Sequence, residues 1–86
     1  MSLTITFTRR GQKDYEFWQT ADKRIFNHLK ELLHEMKETP FNGYGNPEAL
    51  KHELAGKWSR HLTKKDRVVY ELVDDTIIIY QCRFHY

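Results

Sequence analysis

The chain has 86 residues, 40% of them hydrophobic and 14% aromatic, with 14 basic against 12 acidic side chains and a formal net charge of +2. That length carries one domain (residues 1–86) and excludes two, the apolar content excludes a disordered chain, and the slight positive charge admits an RNA partner without demanding one. The one cysteine, Cys82, excludes an intramolecular disulfide, and the longest apolar run, TIIIY, is far too short to cross a bilayer.

In chain order, Leu3, Ile5 and Phe7 alternate with threonines and read as a strand with one buried face. The opening MSLTITFTRR alternates instead of forming an apolar block, so no signal peptide is expected and a cytoplasmic protein fits best. Tyr15, Phe17 and Trp18 can share a helical face, which predicts a short helix over 11–18. A longer helix over 21–38 follows, with Ile25, Leu29, Leu32, Leu33 and Met36 at helical spacing. Thr20 is its expected cap, Asp22 suits the first turn, and Pro40 ends it.

TPFNGYGNP is a turn-rich loop. Asn46-Pro47 reads as a helix start, with Asn46 as cap and a brief helix over 47–51. Three stretches of strand character follow, over 57–63, 66–73 and 77–84, with short polar connections as in a meander. The expected architecture is α+β: an N-terminal strand and two helices packed on one face of an antiparallel β-sheet.

Register decides which side chains meet. A three-residue turn at Asp74-Asp75-Thr76 would put Val68, Tyr70 and Leu72 on one face with Ile78, Tyr80, Cys82 and Phe84. Arg67, Gln81, Arg83 and His85 would line the other. This register sorts apolar from polar residues better than a two-residue turn, and it makes the final CRFHY a strand continuation.

Glu48, Arg67 and His85 then stand out, because a carboxylate, a guanidinium and an imidazole suffice for RNA cleavage without a metal. A carboxylate can take the 2′-hydroxyl proton, an arginine fork can hold the charge gathering on the phosphorane, and an imidazolium can protonate the leaving 5′-oxygen. Each also has a plain structural reading. Glu48 in a first helical turn would complement the dipole, which would also weaken it as a base. Arg67 reads equally as a solvated strand residue, and most histidines near a chain end do nothing. The adjacent terminal carboxylate would favour the protonated His85 ring that an acid needs.

The remaining residues are quieter. The five histidines show no paired helical spacing of a metal site, so no metal or other cofactor is expected. Cys82 reads as core, and Trp58, Tyr70 and Tyr80 as packing residues. Phe84 and Tyr86 could stack on bases, with one of them expected in the core. Lys51 and the run Arg60, His61, Lys64, Lys65 could follow a phosphate backbone or form a solvated turn.

The stretches DYEFWQTADKRI, TPFNGYGNPEALKHELAGKWSRHLTKKDRVVY and CRFHY resemble the YoeB (Txe) family of bacterial toxins, within the RelE-like superfamily, nearly end to end. The resemblance implies a microbial-ribonuclease-type fold and a ribosome-dependent endoribonuclease that cuts messenger RNA in the A site. It implies a YefM-like antitoxin partner, operator DNA contacted only through that antitoxin, no membrane partner, and room for a homodimer. By position it sets the base on Glu48, the phosphate-binding arginine on Arg67, the acid on His85 and a terminal tyrosine on Tyr86. Lys51 and Arg60 match substrate-contacting basic positions, with Arg83 beside them. His61 stands where the family commonly has a second arginine. An interaction module that binds antitoxin and aids operator repression, with cleavage weak or lost, is the alternative. A nuclease of free RNA is a third reading.

Overall fold

The computed structural model describes residues 3–86; residues 1 and 2, which the sequence reading places in the same domain and at the head of its alternating stretch, lie outside the described residues. The order is β1 (Thr4–Phe7), α1 (Arg9–Ala21), α2 (Lys23–Glu38), β2 (Glu48–Ala49), a 3₁₀ turn (His52–Leu54), β3 (Trp58–His61), β4 (Arg67–Val73) and β5 (Thr76–Gln81). The strands form one sheet in the order β1-β5-β4-β3-β2, with β1 parallel to β5 and all other neighbours antiparallel. This is the expected α+β arrangement of two helices on an open, mostly antiparallel sheet. The parallel β1–β5 pair follows from the helical crossover that separates them.

Helix α1 is longer than expected at both ends, and α2 starts two residues later than expected, with a different cap. Thr8 caps α1: its hydroxyl accepts from Gly11 N–H at 3.1 Å and lies 3.3 Å from the Ile79 carbonyl, tying the helix start to β5. Asp22, not Thr20, caps α2, because its carboxylate accepts from both Arg24 and Ile25 N–H. The amphipathic face of α2 buries Phe26, Leu29, Leu32, Leu33 and Met36 against Trp18, Val68, Tyr70, Ile77, Ile79 and Cys82. Each such side chain contributes roughly 1.5–3 kcal/mol of burial. Among the described residues no helix is long and apolar enough to cross a membrane.

The β4–β5 hairpin corrects the expected register. Val73 pairs with Thr76, so Asp74 and Asp75 make a two-residue turn, with Asp74 at φ 55°. Leu72 then faces Ile77 and Tyr70 faces Ile79, which puts those isoleucines in the core and turns Ile78 and Tyr80 away from it. Between Val69 and Tyr70 the register slips, and Val69 pairs with Gln81. The extra residue is a bulge. It returns Cys82 to the core side and Gln81 to the opposite side, so the alternative turn and the expected far-end pairing both hold, on either side of the slip. Regular structure stops at Gln81, and Cys82–Tyr86 leaves the strand.

Two consequences are measurable. In an ordinary helix interior Gly→Ala gains about 1 kcal/mol. A Cβ on Gly11 would collide with the Ile79 carbonyl oxygen, a backbone atom that cannot swing aside. Gly11→Ala should therefore lower stability by about 1–3 kcal/mol in chemical denaturation. Burial pushes the fully enclosed Cys82 thiol up to about 12. The native protein at pH 8 should resist alkylation, with labelling appearing only as denaturant unfolds the chain.

Candidate active site

Direct cross-strand partners point to the same face of a sheet, as do residues two apart on one strand. Glu48 pairs with Ser59, Ser59 with Val69, Val69 with Gln81, and His61 with Arg67. Arg60 and Trp58 pair with Val68 and Tyr70 and take the helix side. Glu48, His61 and Arg67 thus share the open face, across three neighbouring strands.

Glu48 does not lie on a helix. Asn46 sits at φ 53°, and the chain then runs extended as the edge strand β2. The Asn46-Pro47 signal fails because the loop before it is held on β3: the Gly45 carbonyl accepts from His61 N–H at 2.7 Å, and a Cβ on Gly45 would press on Arg60 and on the His61 backbone. With no helix there is no dipole to weaken Glu48, so its plain structural reading lapses. Glu48 is exposed and lines a cleft of about 350 Å³ with Lys51, His52 and Tyr86. Lys51 is exposed ahead of the 3₁₀ turn, and His52 holds φ 60°, a left-handed conformation that non-glycine residues adopt at a cost of about 1–2 kcal/mol.

Arg67 is half-buried at the head of β4. Its Nη1 donates to the carbonyls of Thr63, Lys64 and Asp66 at 3.0–3.3 Å. Among the described residues its Nε and Nη2 meet no hydrogen-bonding protein group, which leaves one edge of the fork for a ligand. His61, across from it, is exposed.

The last five residues fold back against this face. Cys82 is gripped by α1, with its N–H donating to Asp14 Oδ2 at 3.1 Å and its carbonyl accepting from Trp18 Nε1 at 2.7 Å. The Phe84 carbonyl accepts from Arg67 N–H at 2.9 Å, and the Gln81 side-chain amide donates to the carbonyls of Arg83 and Phe84. Phe84 has φ 66°, which breaks the expected strand alternation and leaves the residue 54% exposed. Neither Phe84 nor Tyr86 is core, contrary to the expectation that one would be. The Arg83 guanidinium stacks on the Phe17 and Phe84 rings, 3.5 and 4.4 Å from their centroids. His85 is exposed, and its ring stacks on Tyr86 at 4.7 Å. Tyr86 is the residue that brings the tail to the cleft of Glu48, and the Arg67–Phe84 bond ties it to Arg67.

Arg60 falls outside this group. It is fully buried on the helix side, and its Nη1 donates to Glu35 Oε1 at 2.6 Å and to the Tyr44 carbonyl. Its Nη2 donates to the carbonyls of Thr39 and Asn42, and its Nε to the Tyr70 hydroxyl. All five donors are used inside the protein, so the expected substrate contact becomes a support for the loop that leads to Glu48. Asp14, Trp18, Gln81 and Asp66 hold the tail. The sequence marks Trp18 only as a helix-face residue and Gln81 only as an open-face residue, while Asp14 beside Lys13 and Asp66 between Lys65 and Arg67 carry no local signal. Among the described residues no three His, Cys, Asp or Glu side chains gather as a cation site.

Arg60→Ala would leave Glu35 and three carbonyls without their cation. It should cost about 3–5 kcal/mol in denaturant titration. Arg60→Lys should recover less than half of that, since an ammonium cannot reach the same five points.

A model of the YoeB-like toxin of bacterial type II toxin–antitoxin systems matches residues 7–86. The toxin YoeB of Escherichia coli K12 is 43% identical over 84 residues, which cover 98% of this chain and 100% of that protein. The solved YoeB/ParE toxin from Agrobacterium tumefaciens has a TM-score of 0.92 at 41% identity, covering 98% of this chain and 100% of that one. From Staphylococcus aureus, a YoeB dimer and a heterotetrameric YoeB–YefM toxin–antitoxin complex each have a TM-score of 0.89 at 36% identity, over 98% of both chains. With this fold, this open-faced site and these likenesses, the chain belongs to the YoeB-like toxins of bacterial type II toxin–antitoxin systems.

Proposed function

We propose that this chain is a ribosome-dependent endoribonuclease that cleaves messenger RNA in the A site and so stops translation. The observation that carries the reading is the shared open face: Glu48 and Tyr86 line one cleft, and the His85-bearing tail is bonded to the backbone of Arg67. Glu48 takes the proton of a 2′-hydroxyl as its oxygen attacks the adjacent phosphorus. The open edge of the Arg67 fork holds the non-bridging oxygens as negative charge builds. The bond from phosphorus to the 5′-oxygen breaks, and the His85 imidazolium gives that oxygen its proton. The product is a 2′,3′-cyclic phosphate, whose hydrolysis runs the same two proton transfers in reverse and restores both side chains.

Lys51, His61 and Tyr86 are the contacts that the face offers to the phosphates and bases around the scissile linkage. Arg83 joins them: its guanidinium lies 3.5 and 4.4 Å from the Phe17 and Phe84 ring centroids, and its N–H edges stay open to a phosphate. The likeness to the Staphylococcus aureus complex supports a YefM-like antitoxin as inhibitor, with operator DNA reached only through it, and the likeness to the YoeB dimer supports a homodimer. The place of action is the cytoplasm, where ribosomes present the message.

Glu48→Ala, Arg67→Ala and His85→Ala should each slow single-turnover cleavage by about 10²–10⁴-fold while circular dichroism and antitoxin binding stay as in wild type. The measurement is mapping of cleavage ends on a translated message. Full cutting by all three variants would sink the mechanism. An intact message with the wild-type protein would favour an antitoxin-binding module, and brisk cutting of naked RNA would favour a ribosome-independent nuclease.

A further inference from the structure

The cleft and sheet face account for Glu48 and Arg67, but His85 lies beyond the last strand, exposed, on a tail with no regular structure. Something must hold it to within a fraction of an ångström if it is to donate a proton. Asp66 is placed to do so. Its Oδ1 accepts the Phe84 N–H at 2.6 Å, and its Oδ2 accepts the Thr63 hydroxyl at 2.6 Å. The Thr63 hydroxyl oxygen in turn accepts from Lys65 and Asp66 N–H, which fixes the carboxylate on the β3–β4 turn. Asp66 and Arg67 together therefore take both backbone groups of Phe84, the N–H by a carboxylate and the carbonyl by an amide.

Phe84 is also the residue held left-handed, at φ 66°. A phenylalanine leaves that conformation readily unless its neighbours over-determine it, and the φ at residue 84 sets the direction in which His85 departs. The same turn supplies the Thr63, Lys64 and Asp66 carbonyls that aim the Arg67 guanidinium. We infer that Asp66 is a positioning residue which registers the His85 imidazole against the Arg67 fork through the Phe84 peptide. This inference rests on the nuclease reading of His85.

The test compares Asp66→Ala, which removes the acceptor, with Asp66→Asn, which keeps an oxygen for the Phe84 N–H. Asp66→Ala should slow single-turnover cleavage on message-loaded ribosomes by about 10²-fold, without changing the half-saturating ribosome concentration. Asp66→Asn should recover most of the rate. By NMR, Phe84 amide exchange should quicken at least about tenfold in Asp66→Ala while the Leu29 and Ile79 amides keep their protection. Added to His85→Ala, Asp66→Ala should cause no further loss, since it acts through that ring. Wild-type cleavage by Asp66→Ala, Asp66→Asn no better than Asp66→Ala, or a further drop in the double variant overturns the inference. If Asp66→Ala does not fold, the Asp66→Asn rate and its Phe84 exchange decide. His85→Ala that cleaves like wild type sinks the acid role of His85 on which the inference rests; an inactive His85→Ala beside a fully active Asp66→Ala sinks the positioning role alone.

Discussion

The buried guanidinium of Arg60 is the constraint on which the site depends. Taking an arginine out of water costs several kcal/mol unless its charge and every donor are met. Here Glu35 on α2, three carbonyls of the 39–44 loop and the Tyr70 hydroxyl on β4 meet all of them. The Tyr70 hydroxyl in turn donates a hydrogen bond to the Pro40 carbonyl at 2.6 Å, and desolvation holds that phenol above its ordinary range, so it stays a donor. Glu35 also accepts Tyr44 N–H. A loop with three residues at positive φ, Gly43, Gly45 and Asn46, is thereby pinned to a helix and two strands. It emerges at one place with one direction, and Glu48 is the second residue after Asn46, where it turns.

At the other end of the chain the tail is fixed by a different economy. Its backbone groups are satisfied in pairs: those of Cys82 by Asp14 and Trp18 on α1, those of Phe84 by Asp66 and Arg67 at the start of β4. Between them Arg83 is wedged against Phe17 and Phe84. The carboxylate side of the site is thus anchored through α2, and the imidazole side through α1 and the turn before Arg67. Neither anchor uses a residue proposed for the chemistry except the Arg67 amide, so the Glu48 carboxylate, Arg67 Nε and Nη2 and His85 Nε2 remain without a protein partner among the described residues.

Much of the fold was legible because periodicity records burial. Leu29, Leu32, Leu33 and Met36 mark α2, and Val68, Tyr70 and Cys82 mark the sheet core. What periodicity does not record is a change of register. Ile77 and Ile79 alternate correctly with each other, and so do Gln81 and Arg67 with the open face. Only the inserted Tyr80 reconciles the two sets, and a single-residue bulge leaves no local signature. The segment after Asn46 misled for a related reason. Asn-Pro is a sound helix start, but a five-residue helix has little to offset nucleation, and the Gly45–His61 bond had already directed the chain onto the edge of β3. For the site, residue types suggested the chemistry and a family likeness chose the positions. That Glu48 and Arg67 meet on one face follows from cross-strand pairing that no spacing rule encodes.

The arginines show why charge is a poor guide to such a surface. Arg60, Arg67 and Arg83 lie within 24 residues of sequence, and a count of cations would credit all three to a nucleic-acid footprint. One spends its whole fork in the interior, one lies half-buried against two aromatic rings with its N–H edges unbonded among the described residues, and Arg67 commits Nη1 to three carbonyls and keeps Nε and Nη2. What remains around the cleft is Lys51, His52 and His61, with Lys64 and Lys65 on the neighbouring turn. An enzyme that had to capture RNA from solution would need a broader basic track, since each phosphate neutralised is a separate share of the affinity. On the proposed reading that track is unnecessary, because the message is already held by a larger partner and the protein supplies alignment and proton transfer at one linkage.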